Sequence, residues 1–270
     1  MKHIHIVGSG PRSGTTLLYE LMTCSFAIDH SSPHESRIGK MPPYNCDVYL
    51  TKAPKDIVVI GPILQQVPNL FVIFVMRDPR DSAVSIHQID APNYYGTLEY
   101  WHNYMPFYDG IKDHHRVLTV RYEDLVADPD ALQQQIAARF PFLRITDRFS
   151  HFHQNTRPSE MAQLALNGVR QVSASSVGNW ESHKGKIKAD IEAFGPITND
   201  LIRFGYEPSA EWEQKLTDVA PVHGKQHRSV FSSKEWIHRK LRSQPIRIWK
   251  VRFFHSALFL RLLSLVGRSK

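Results

Sequence analysis

A short hydrophobic segment, a glycine-rich turn and a helix open the sequence, and this succession constrains the fold more than any other feature. Residues 3–7 predict a strand, residues 8–11 predict a tight turn, and the apolar spacing after Ser13 predicts a helix. Glycines allow the tight turn, and the free amides at a helix N-terminus bind anions with support from the helix dipole. Arg12 adds a permanent positive charge. The succession therefore predicts an anion-binding loop.

Strands and helices alternate in the following part of the chain. The continuous apolar run at 70–76 predicts a strand that is covered on both faces, and residues 117–121 predict another strand. The other predicted elements are helices at about 79–89, at about 97–114 and from Pro129, a loop at 29–47, and a segment at 55–67 for which strand and helix are both open. The alternation predicts an α/β fold with a mainly parallel central sheet flanked by helices in three layers.

The positive charge of the chain is concentrated in its last fifty residues. The 270 residues include 33 Lys and Arg and 26 Asp and Glu, which gives a formal net charge of +7. Residues 221–270 carry +11, so residues 1–220 carry −4. We expect a main domain at 1–208, a linker at 209–233 and a basic amphipathic helical tail at 234–270.

The tail has the composition of a helix that binds an anionic membrane surface. Basic residues fall near one face between 249 and 268, and Phe and Leu cover much of the rest. Packing of the tail on the body, or on a second subunit in a homodimer, is the alternative. Since a membrane surface accounts for the basic tail, we do not expect nucleic acid as a partner.

The cysteine content and the absence of a recognisable leader indicate the compartment. Cys24 and Cys46 form neither a CxxC pair nor a disulfide framework, which favours a reducing compartment. We find no signal-peptide pattern and no run of the roughly 20 apolar residues that a membrane span requires. The sequence predicts a cytoplasmic protein, peripheral at the inner face of the membrane if the tail binds lipid.

The glycine-rich loop departs from two common nucleotide-binding patterns. A Walker A loop, G-x-x-x-x-G-K-[ST], has glycine where Ser9 stands and lysine where Thr15 stands. The dinucleotide pattern G-x-G-x-x-G is one residue shorter than the spacing of Gly8, Gly10 and Gly14. Without the Walker lysine a nucleoside triphosphate is disfavoured, and the loop is a phosphate loop of another kind.

Residues 11–17, Pro-Arg-Ser-Gly-Thr-Thr-Leu, resemble a loop of the sulfotransferases. In that family the loop holds the 5′-phosphosulfate of the donor 3′-phosphoadenosine 5′-phosphosulfate (PAPS). The arginine form resembles the protein-tyrosine sulfotransferases and many bacterial carbohydrate sulfotransferases. The resemblance covers about residues 5–207 and implies a P-loop-like fold. It also implies that the donor is bound by Arg12, Ser13, Gly14, Thr15 and Thr16.

A second motif follows the apolar run at 70–76. Residues 74–85, Phe-Val-Met-Arg-Asp-Pro-Arg-Asp-Ser-Ala-Val-Ser, resemble the family's site for the 3′-phosphate, which implies Arg77 and Ser85 as ligands. Arg77 stands at the carboxyl end of a predicted parallel strand, where open α/β sheets place ligands. Taken alone, this segment is typical of a surface turn in which Asp78, Arg80 and Asp81 form salt bridges.

Two later segments complete the resemblance to the donor site. Tyr122, in Arg-Tyr-Glu-Asp-Leu, matches a tyrosine that contacts the nucleotide, whereas Glu123 and Asp124 are equally explained as helix caps. Residues 169–180 resemble a flexible segment that closes over PAPS, which implies Arg170 and Ser176 as phosphate contacts. Relatives often have Ser or Thr before the Val-Arg pair at 169–170, where this chain has Ala-Leu-Asn-Gly.

Sulfuryl transfer requires a base for the acceptor hydroxyl and positive charge for the leaving phosphate. Glu35, in His-Glu-Ser-Arg-Ile, resembles the catalytic glutamate of the protein-tyrosine enzymes, and His34 is the competing base. Lys52, in Leu-Thr-Lys-Ala-Pro, resembles the family lysine that neutralises the bridging oxygen, with Arg12 assisting. The resemblance therefore implies Glu35, Lys52 and Arg12 as the catalytic residues.

The remaining candidate residues favour structural roles. The histidine pairs at 114–115 and 151–153 lack zinc-site spacing, so we expect no metal. The aromatic residues of 94–108 favour core packing, and an acceptor site is the alternative. We predict a PAPS-dependent sulfotransferase whose acceptor is a hydroxyl of a glycan or glycolipid. The alternatives are a P-loop nucleoside or nucleotide kinase and a non-catalytic, membrane-associated nucleotide-binding protein.

Overall fold

A five-stranded sheet forms the centre of the protein, and all of its neighbouring strands are parallel. The strands are β1 (Lys2–Gly8), β2 (His30–Ser31), β3 (Val48–Lys52), β4 (Leu70–Met76) and β5 (Val117–Arg121). Their order in the sheet is β2-β3-β1-β4-β5. These bounds come from a computed structural model that describes residues 1–32, 35–41, 46–87, 91–225, 233–256 and 259.

The described α-helices connect and cover the strands. They are α1 (Thr15–Ser25), α2 (Ile57–Gln66), α3 (Pro79–Ala83), α4 (Leu98–Asp109), α5 (Tyr122–Ala127), α6 (Pro129–Arg139), α7 (Phe152–Asn155), α8 (Glu160–Leu166), α9 (Lys184–Phe194), α10 (Thr198–Arg203), α11 (Ser233–Arg242) and α12 (Gln244–Phe254). Short 3-10 helices lie at Pro54–Asp56, Phe149–His151, Asn179–His183 and Ala210–Leu216.

Helices cover both faces of the sheet, and each face has its own apolar core. Ile4 and Ile6 of β1 belong to the core that α1 and α6 cover. Val72 and Phe74 of β4 belong to the opposite core, which α2, α4 and α9 cover. Successive side chains of a strand point to opposite faces, and β4, which is covered on both faces, is apolar along its whole length. The predicted α/β class with a parallel sheet is confirmed.

Several element predictions need correction. Of the two alternatives left open for 55–67, the structure has the helix, since residues 57–66 form α2 and Ile60 and Ile63 are fully buried. The predicted helix at 79–89 ends at Ala83, because the backbone of Ser85 accepts a hydrogen bond from the Tyr95 amide (2.9 Å) and leaves the helical path. The predicted helix at 97–114 spans 98–109. The predicted loop at 29–47 contains the edge strand β2, and strand β3 follows it.

The described part of the tail packs against the body. Helices α11 and α12 contact α2, α11 also contacts α4, and Val251 is fully enclosed in the core beneath α2 and α4. The sequence predicts a break at Pro245, but the two helices are separated at Ser243, and Pro245 lies in the first turn of α12. The predicted basic face beyond Ser256 lies, apart from residue 259, outside the described residues. The domain boundaries at 208 and 233 stay predictions. No helix in the described ranges is long and apolar enough to cross a membrane.

Candidate active site

Four strands end at one edge of the sheet, and each end delivers a predicted site residue. The loop that follows Gly8 leaves β1, and β3 ends at Lys52. Arg77 follows β4 directly, and Tyr122 follows β5 directly. Because the strands are parallel, their carboxyl ends meet at the same edge, where α/β proteins bind ligands.

A cavity of about 820 Å³ lies at this edge. Its lining includes the predicted site residues Arg12, Gly14, Thr15, Thr16, Glu35, Lys52, Arg77, Ser85, Tyr122, Arg170 and Ser176. The hydroxyl of Ser13, in contrast, is buried and donates a hydrogen bond to the carbonyl oxygen of Gly10 (2.9 Å). Ser13 therefore shapes the loop from inside, with its side chain directed away from the cavity.

The glycine-rich loop brings the N-terminus of α1 to the cavity. Gly14 precedes α1 with a φ of 96°, and a Cβ atom at this position would lie 2.4 Å from Cδ2 of Tyr122. Both observations require glycine. The amides of Thr15 and Thr16 belong to the first turn of α1, where they have no acceptor within the helix. They are available to an anion in the cavity.

Arg12 and Arg77 hold the loop and its surroundings together. Arg12 Nε donates to Ser85 Oγ (2.9 Å), and its Nη1 donates to the carbonyl of Ala165 (3.1 Å). Arg77 donates to the carbonyls of Arg12 (3.0 Å) and Ser176 (2.8 Å). Burial, together with the charge of Arg77, lowers the pKa of Arg12 to about 10, so Arg12 keeps its charge at neutral pH. Ser85 thus pairs with Arg12 and not with Arg77.

Tyr122 connects Arg77 to the segment that was predicted to close over the donor. The Arg77 guanidinium lies 4.3 Å from the centre of the Tyr122 ring, which is within the range of a cation–π contact. The Tyr122 hydroxyl lies 2.7 Å from Ser176 Oγ. Arg170 is exposed at the cavity and donates to the carbonyl of Asn167 (3.1 Å). The structure thereby places all four predicted residues around one side of the cavity.

Asp78, Arg80 and Asp81 do not form a surface turn, because all three side chains are buried. Arg80 pairs with Asp78 (2.7 Å) and Glu207 (2.5 Å), and the indole rings of two tryptophans enclose its guanidinium. The Asp81 carboxylate accepts the amides of Gly178 (2.8 Å) and Trp180 (2.9 Å). Asp81 therefore anchors residues 178–180, at the end of the segment 169–180, and no sequence motif predicts this role.

Glu123 is not simply a helix cap. Its Oε1 accepts the backbone amide of Asp78 (2.9 Å), which joins the segment after β4 to the start of α5. Burial raises the pKa of Glu123, and the hydrogen bonds that its carboxylate accepts offset part of that effect. Glu123 thereby positions Arg77 and Tyr122 relative to each other.

Lys52 and Glu35 form the predicted catalytic pair. Lys52 Nζ donates to Thr16 Oγ1 (2.8 Å) and lies 3.9 Å from Glu35 Oε1. Lys52 is 1% exposed, and burial lowers its pKa, although the charges of Glu35 and Glu20 partly restore it. The Glu35 side chain is 50% exposed and faces the cavity. The competing base His34 lies outside the described residues.

Three cavity residues near Glu35 have no counterpart in the sequence predictions. Lys55 Nζ lies 5.4 Å from the ring centre of Tyr100 and 5.7 Å from that of Trp236. Arg37 lines the same part of the cavity. Trp236 belongs to the tail helix α11, which lies outside the family resemblance, so no motif points to it. For Lys55, the sequence signal that could have indicated a place in the site is its position three residues after Lys52.

The histidine and aromatic segments show structural contacts. His114 and His115 stack on each other with ring centres 4.5 Å apart, and His151 pairs with Asp147 (2.8 Å). No group of three or more His, Cys, Asp or Glu side chains in the described ranges forms a candidate metal site. Most of the apolar face of α4 is buried in the core, whereas Tyr95 lines the cavity.

Two solved structures of sulfotransferases are similar to parts of this chain. The sulfotransferase domain from the curacin biosynthetic pathway is 15% identical, covers 67% of this chain and 91% of that domain, and gives a TM-score of 0.48. Mouse sulfotransferase SULT7A1 complexed with PAP is 17% identical, covers 80% of this chain and 85% of that chain, and gives a TM-score of 0.41. Both similarities are too low to transfer any property of those proteins to this chain.

The central part of the sequence matches a family model. No curated protein matches the chain. The model described as "Sulfotransferase family" matches residues 35–142. This range begins after the glycine-rich loop and contains Glu35, Lys52, Arg77, Ser85 and Tyr122. The match shows that this central part of the chain is similar to the sulfotransferase family.

Proposed function

We propose that this protein transfers the sulfuryl group of PAPS to a hydroxyl acceptor. One observation carries the proposal: the N-terminus of α1, two guanidinium groups and a buried ammonium group converge on one cavity at the carboxyl edge of the sheet. Such a set binds a ligand with several negative charges, as backbone amides, Arg and Lys do in phosphate sites. The match of residues 35–142 to the sulfotransferase family model supports the same reaction class.

In this proposal two sets of cavity residues hold the two phosphate groups of the donor. The amides of Thr15 and Thr16 would hold the 5′-phosphosulfate, with Arg12 and Lys52 beside it. Arg77 and Ser85 would hold the 3′-phosphate, as the resemblance implies. Both already have protein partners: Arg77 holds the carbonyls of Arg12 and Ser176, and Ser85 accepts from Arg12. The donor would exchange or share these contacts.

Glu35 would act as the base in an in-line displacement. Its carboxylate takes the proton of the acceptor hydroxyl while the acceptor oxygen forms a bond to sulfur. The bond between sulfur and the bridging oxygen of the 5′-phosphate breaks, and the electron pair stays on that oxygen. Lys52 and Arg12 neutralise the charge that develops there, which is the electrostatic form of catalysis. The products are 3′-phosphoadenosine 5′-phosphate (PAP) and a sulfate monoester.

The acceptor in this proposal is a glycan or glycolipid hydroxyl. The lining of the cavity also includes Trp236, Lys55 and Arg37. An indole face suits the C–H face of a sugar ring, and two basic side chains suit a polar or anionic substituent. The resemblance to bacterial carbohydrate sulfotransferases favours the same acceptor class. We place the reaction in the cytoplasm.

The tail provides a membrane surface contact in this proposal. Ile246, Trp249 and Phe253 of α12 are 63%, 64% and 38% exposed, although they are large and apolar. Lys250 and Arg252 lie among them and are exposed. Apolar and aromatic side chains beside basic ones are typical of helices that lie on anionic lipid. A lipid-linked acceptor would fit this arrangement.

Calorimetric titration with PAP, ATP and NAD tests the reaction class. We expect binding of PAP that is at least 10-fold tighter than binding of ATP or NAD, because the proposal assigns separate residues to the 5′- and 3′-phosphates and the loop lacks a Walker lysine. A preference for ATP would support the kinase alternative and overturn the proposal.

Arg77→Ala tests the assignment of the 3′-phosphate. We expect PAP to bind about 10- to 100-fold more weakly, as loss of a charge-assisted hydrogen bond costs about 1.5–3 kcal/mol. Adenosine 5′-phosphosulfate, which lacks the 3′-phosphate, should lose less affinity. Arg77→Lys is the matched control that keeps the charge without the fork of donors. Equal losses for both nucleotides would show that Arg77 only supports the loop.

A further inference from the structure

The buried carboxylate of Asp56 contacts both the loop that carries Glu35 and the C-terminal tail. Asp56 is 1% exposed and lies four residues after Lys52, in the turn between β3 and α2. Its Oδ2 accepts the backbone amide of Ile38 (2.8 Å). Its Oδ1 accepts from Lys240 Nζ (2.6 Å). One carboxylate therefore joins the base-bearing loop to helix α11.

The loop at 35–41 has two backbone attachments next to Glu35. The Ser36 amide donates to the carbonyl of Lys52 (2.8 Å), and the Ile38 amide donates to Asp56. Glu35 itself is half exposed, and the side chain of Lys52 is 3.9 Å away. The direction in which Glu35 points thus depends on how firmly Ser36 and Ile38 are held.

The tail supplies most of the positive charge around Asp56. Lys240 is buried, and Arg247 Nη1 lies 3.5 Å from Asp56 Oδ1. His5 Nε2 lies 3.5 Å from Asp56 Oδ2. Burial alone would raise the pKa of Asp56, but His5 and Lys240 outweigh that effect and hold the pKa below its ordinary value. The carboxylate stays charged, and so it remains a strong acceptor for the Ile38 amide.

The tail also touches the loop and the cavity directly. A side chain at Gly39 would meet Cγ of Arg247 at 3.4 Å, so the loop and α12 are in contact. Trp236 and Lys240 both line the cavity, and Lys240 Nζ lies 4.6 Å from the Trp236 ring centre. The docked face of the tail therefore forms part of the cavity wall.

We propose that the tail helices are part of the active site and that Lys240, acting through Asp56, is a positioning residue for the loop that carries Glu35. The proposal rests on the proposed function only for the catalytic role of Glu35. The coupling between tail and loop is measurable without donor or acceptor. The exposed face of α12 can contact a membrane at the same time, because Ile246 and Trp249 are exposed whereas Val251 packs on the body.

Hydrogen exchange on the full chain tests the coupling. We expect Lys240→Met to raise the exchange rate of the amides in 36–41 at least 10-fold, while peptides from β4 exchange as in the wild type. Lys240→Arg should restore protection, because it keeps a cation within reach of Asp56. Lys234→Met, which removes an exposed lysine from the same helix, is the matched control and should leave the loop unchanged.

An unchanged exchange rate of the 36–41 amides in Lys240→Met would overturn the proposal. An equal rise in the exchange rate of the β4 amides would also overturn it, because that would indicate a general loss of stability. If Lys240→Met does not fold, Arg247→Met provides the second test. This variant removes the cation that lies farther from Asp56 and leaves Lys240 in place. We therefore expect a smaller rise in the exchange rate of the 36–41 amides. No rise in that folded variant would also overturn the proposal.

Nucleotide binding separates this proposal from the proposed function. We expect Lys240→Met to bind PAP within 2-fold of the wild type, because the hydrogen bonds of the Asp56 side chain join it to Ile38 and Lys240, neither of which is assigned to PAP. A wild-type protein that fails to bind PAP would refute the sulfotransferase proposal and leave the tail–loop coupling standing. Tight PAP binding with an unchanged loop in Lys240→Met would refute the coupling alone.

Discussion

Gly14 shows how a single residue sets the shape of the anion-binding loop. Its φ of 96° is costly for any residue with a side chain, and the Tyr122 ring occupies the place of a Cβ atom. Gly168 has a similar φ of 88°, but no atom lies within 4 Å of its Cβ position. An alanine at Gly168 would therefore meet backbone strain alone, whereas an alanine at Gly14 would meet backbone strain and a clash with Tyr122.

Gly14→Ala is expected to lower the melting temperature more than Gly168→Ala. Left-handed backbone costs an L-residue about 1–2 kcal/mol, and both variants bear that cost. Only Gly14→Ala must also displace Tyr122, which contacts Arg77. Thermal unfolding of both variants measures the difference, and equal losses would contradict the close approach of Tyr122 to the loop.

Glu35 is the residue on which the chemical proposal depends most directly. Glu35→Gln keeps the size of the side chain but removes the base, so we expect turnover to fall by about 10²- to 10⁴-fold. PAP affinity should stay near that of the wild type, because the proposal assigns Glu35 to the acceptor hydroxyl and not to the donor. Glu192→Gln, at an exposed position on α9, is the control. Loss of PAP affinity in Glu35→Gln would show that Glu35 supports the donor site instead.

At the scale of elements, strand β3 is a part of the sheet that the hydrophobic pattern does not predict. Its last two residues, Thr51 and Lys52, are polar, yet the whole strand is buried. His3 and His5 of the neighbouring strand β1 bind Thr51 Oγ1 at 2.6 and 2.7 Å, which satisfies the hydroxyl in the interior. Hydrophobic pattern alone does not reveal a strand whose buried polar groups are satisfied by another strand.

The end of helix α12 docks through a pair of histidines. His255 Nε2 lies 3.2 Å from His3 Nδ1, and the two rings stack. Burial, with a smaller effect of the N-terminal amino group, lowers the pKa of His255 to about 4. Burial, with the charges of His255 and His5, also lowers the pKa of His3 well below its ordinary value. Both rings are therefore neutral while the helix is docked.

Docking of α12 is expected to weaken as the pH falls from about 6.5 toward 4. An undocked imidazole binds a proton below its ordinary pKa, whereas the docked ring resists protonation, so acid favours release. At pH 5 His255 alone accounts for about 2 kcal/mol. Hydrogen exchange of α12 at pH 7 and pH 5, corrected for the intrinsic rate, measures the effect. His255→Gln should lose part of the pH dependence, and an unchanged dependence would contradict the prediction.

At the scale of the whole molecule, the tail has two faces with different surroundings. Val251 and Lys240 are buried against the body, whereas Ile246 and Trp249 remain exposed. Deleting the whole tail would therefore also remove the partner of Asp56 and open the core. Substitutions on the exposed face are the sharper test of membrane binding.

The double variant Ile246→Asp/Trp249→Asp should bind anionic vesicles less well than the wild type. It removes two exposed apolar side chains and adds two negative charges beside Lys250. Sedimentation with phosphatidylserine-containing vesicles measures binding, and we expect at least a 10-fold loss. Ile202→Asp, at a 40% exposed position on α10, is the matched control. Equal binding of the double variant and the wild type would contradict the membrane proposal.

Local patterns determined much of this protein. The strand at 70–76, the strand at 117–121 and the glycine-rich turn before α1 follow from neighbours in the sequence, because hydrophobic period and turn chemistry act over a few residues. The α/β class follows from their alternation. The resemblance at 11–17 and 74–85 predicted which side chains meet at the cavity, and all but the inward-facing Ser13 line it.

The tertiary structure decided which partner each charged side chain has. Asp56 and Lys240 are 184 positions apart in the chain, and Arg12 and Ser85 are 73 apart. Asp78, Arg80 and Asp81, which suggest a surface turn locally, are buried because distant residues supply their partners. A charge enters the interior only when such partners satisfy it, and sheet topology, not local pattern, brings them together.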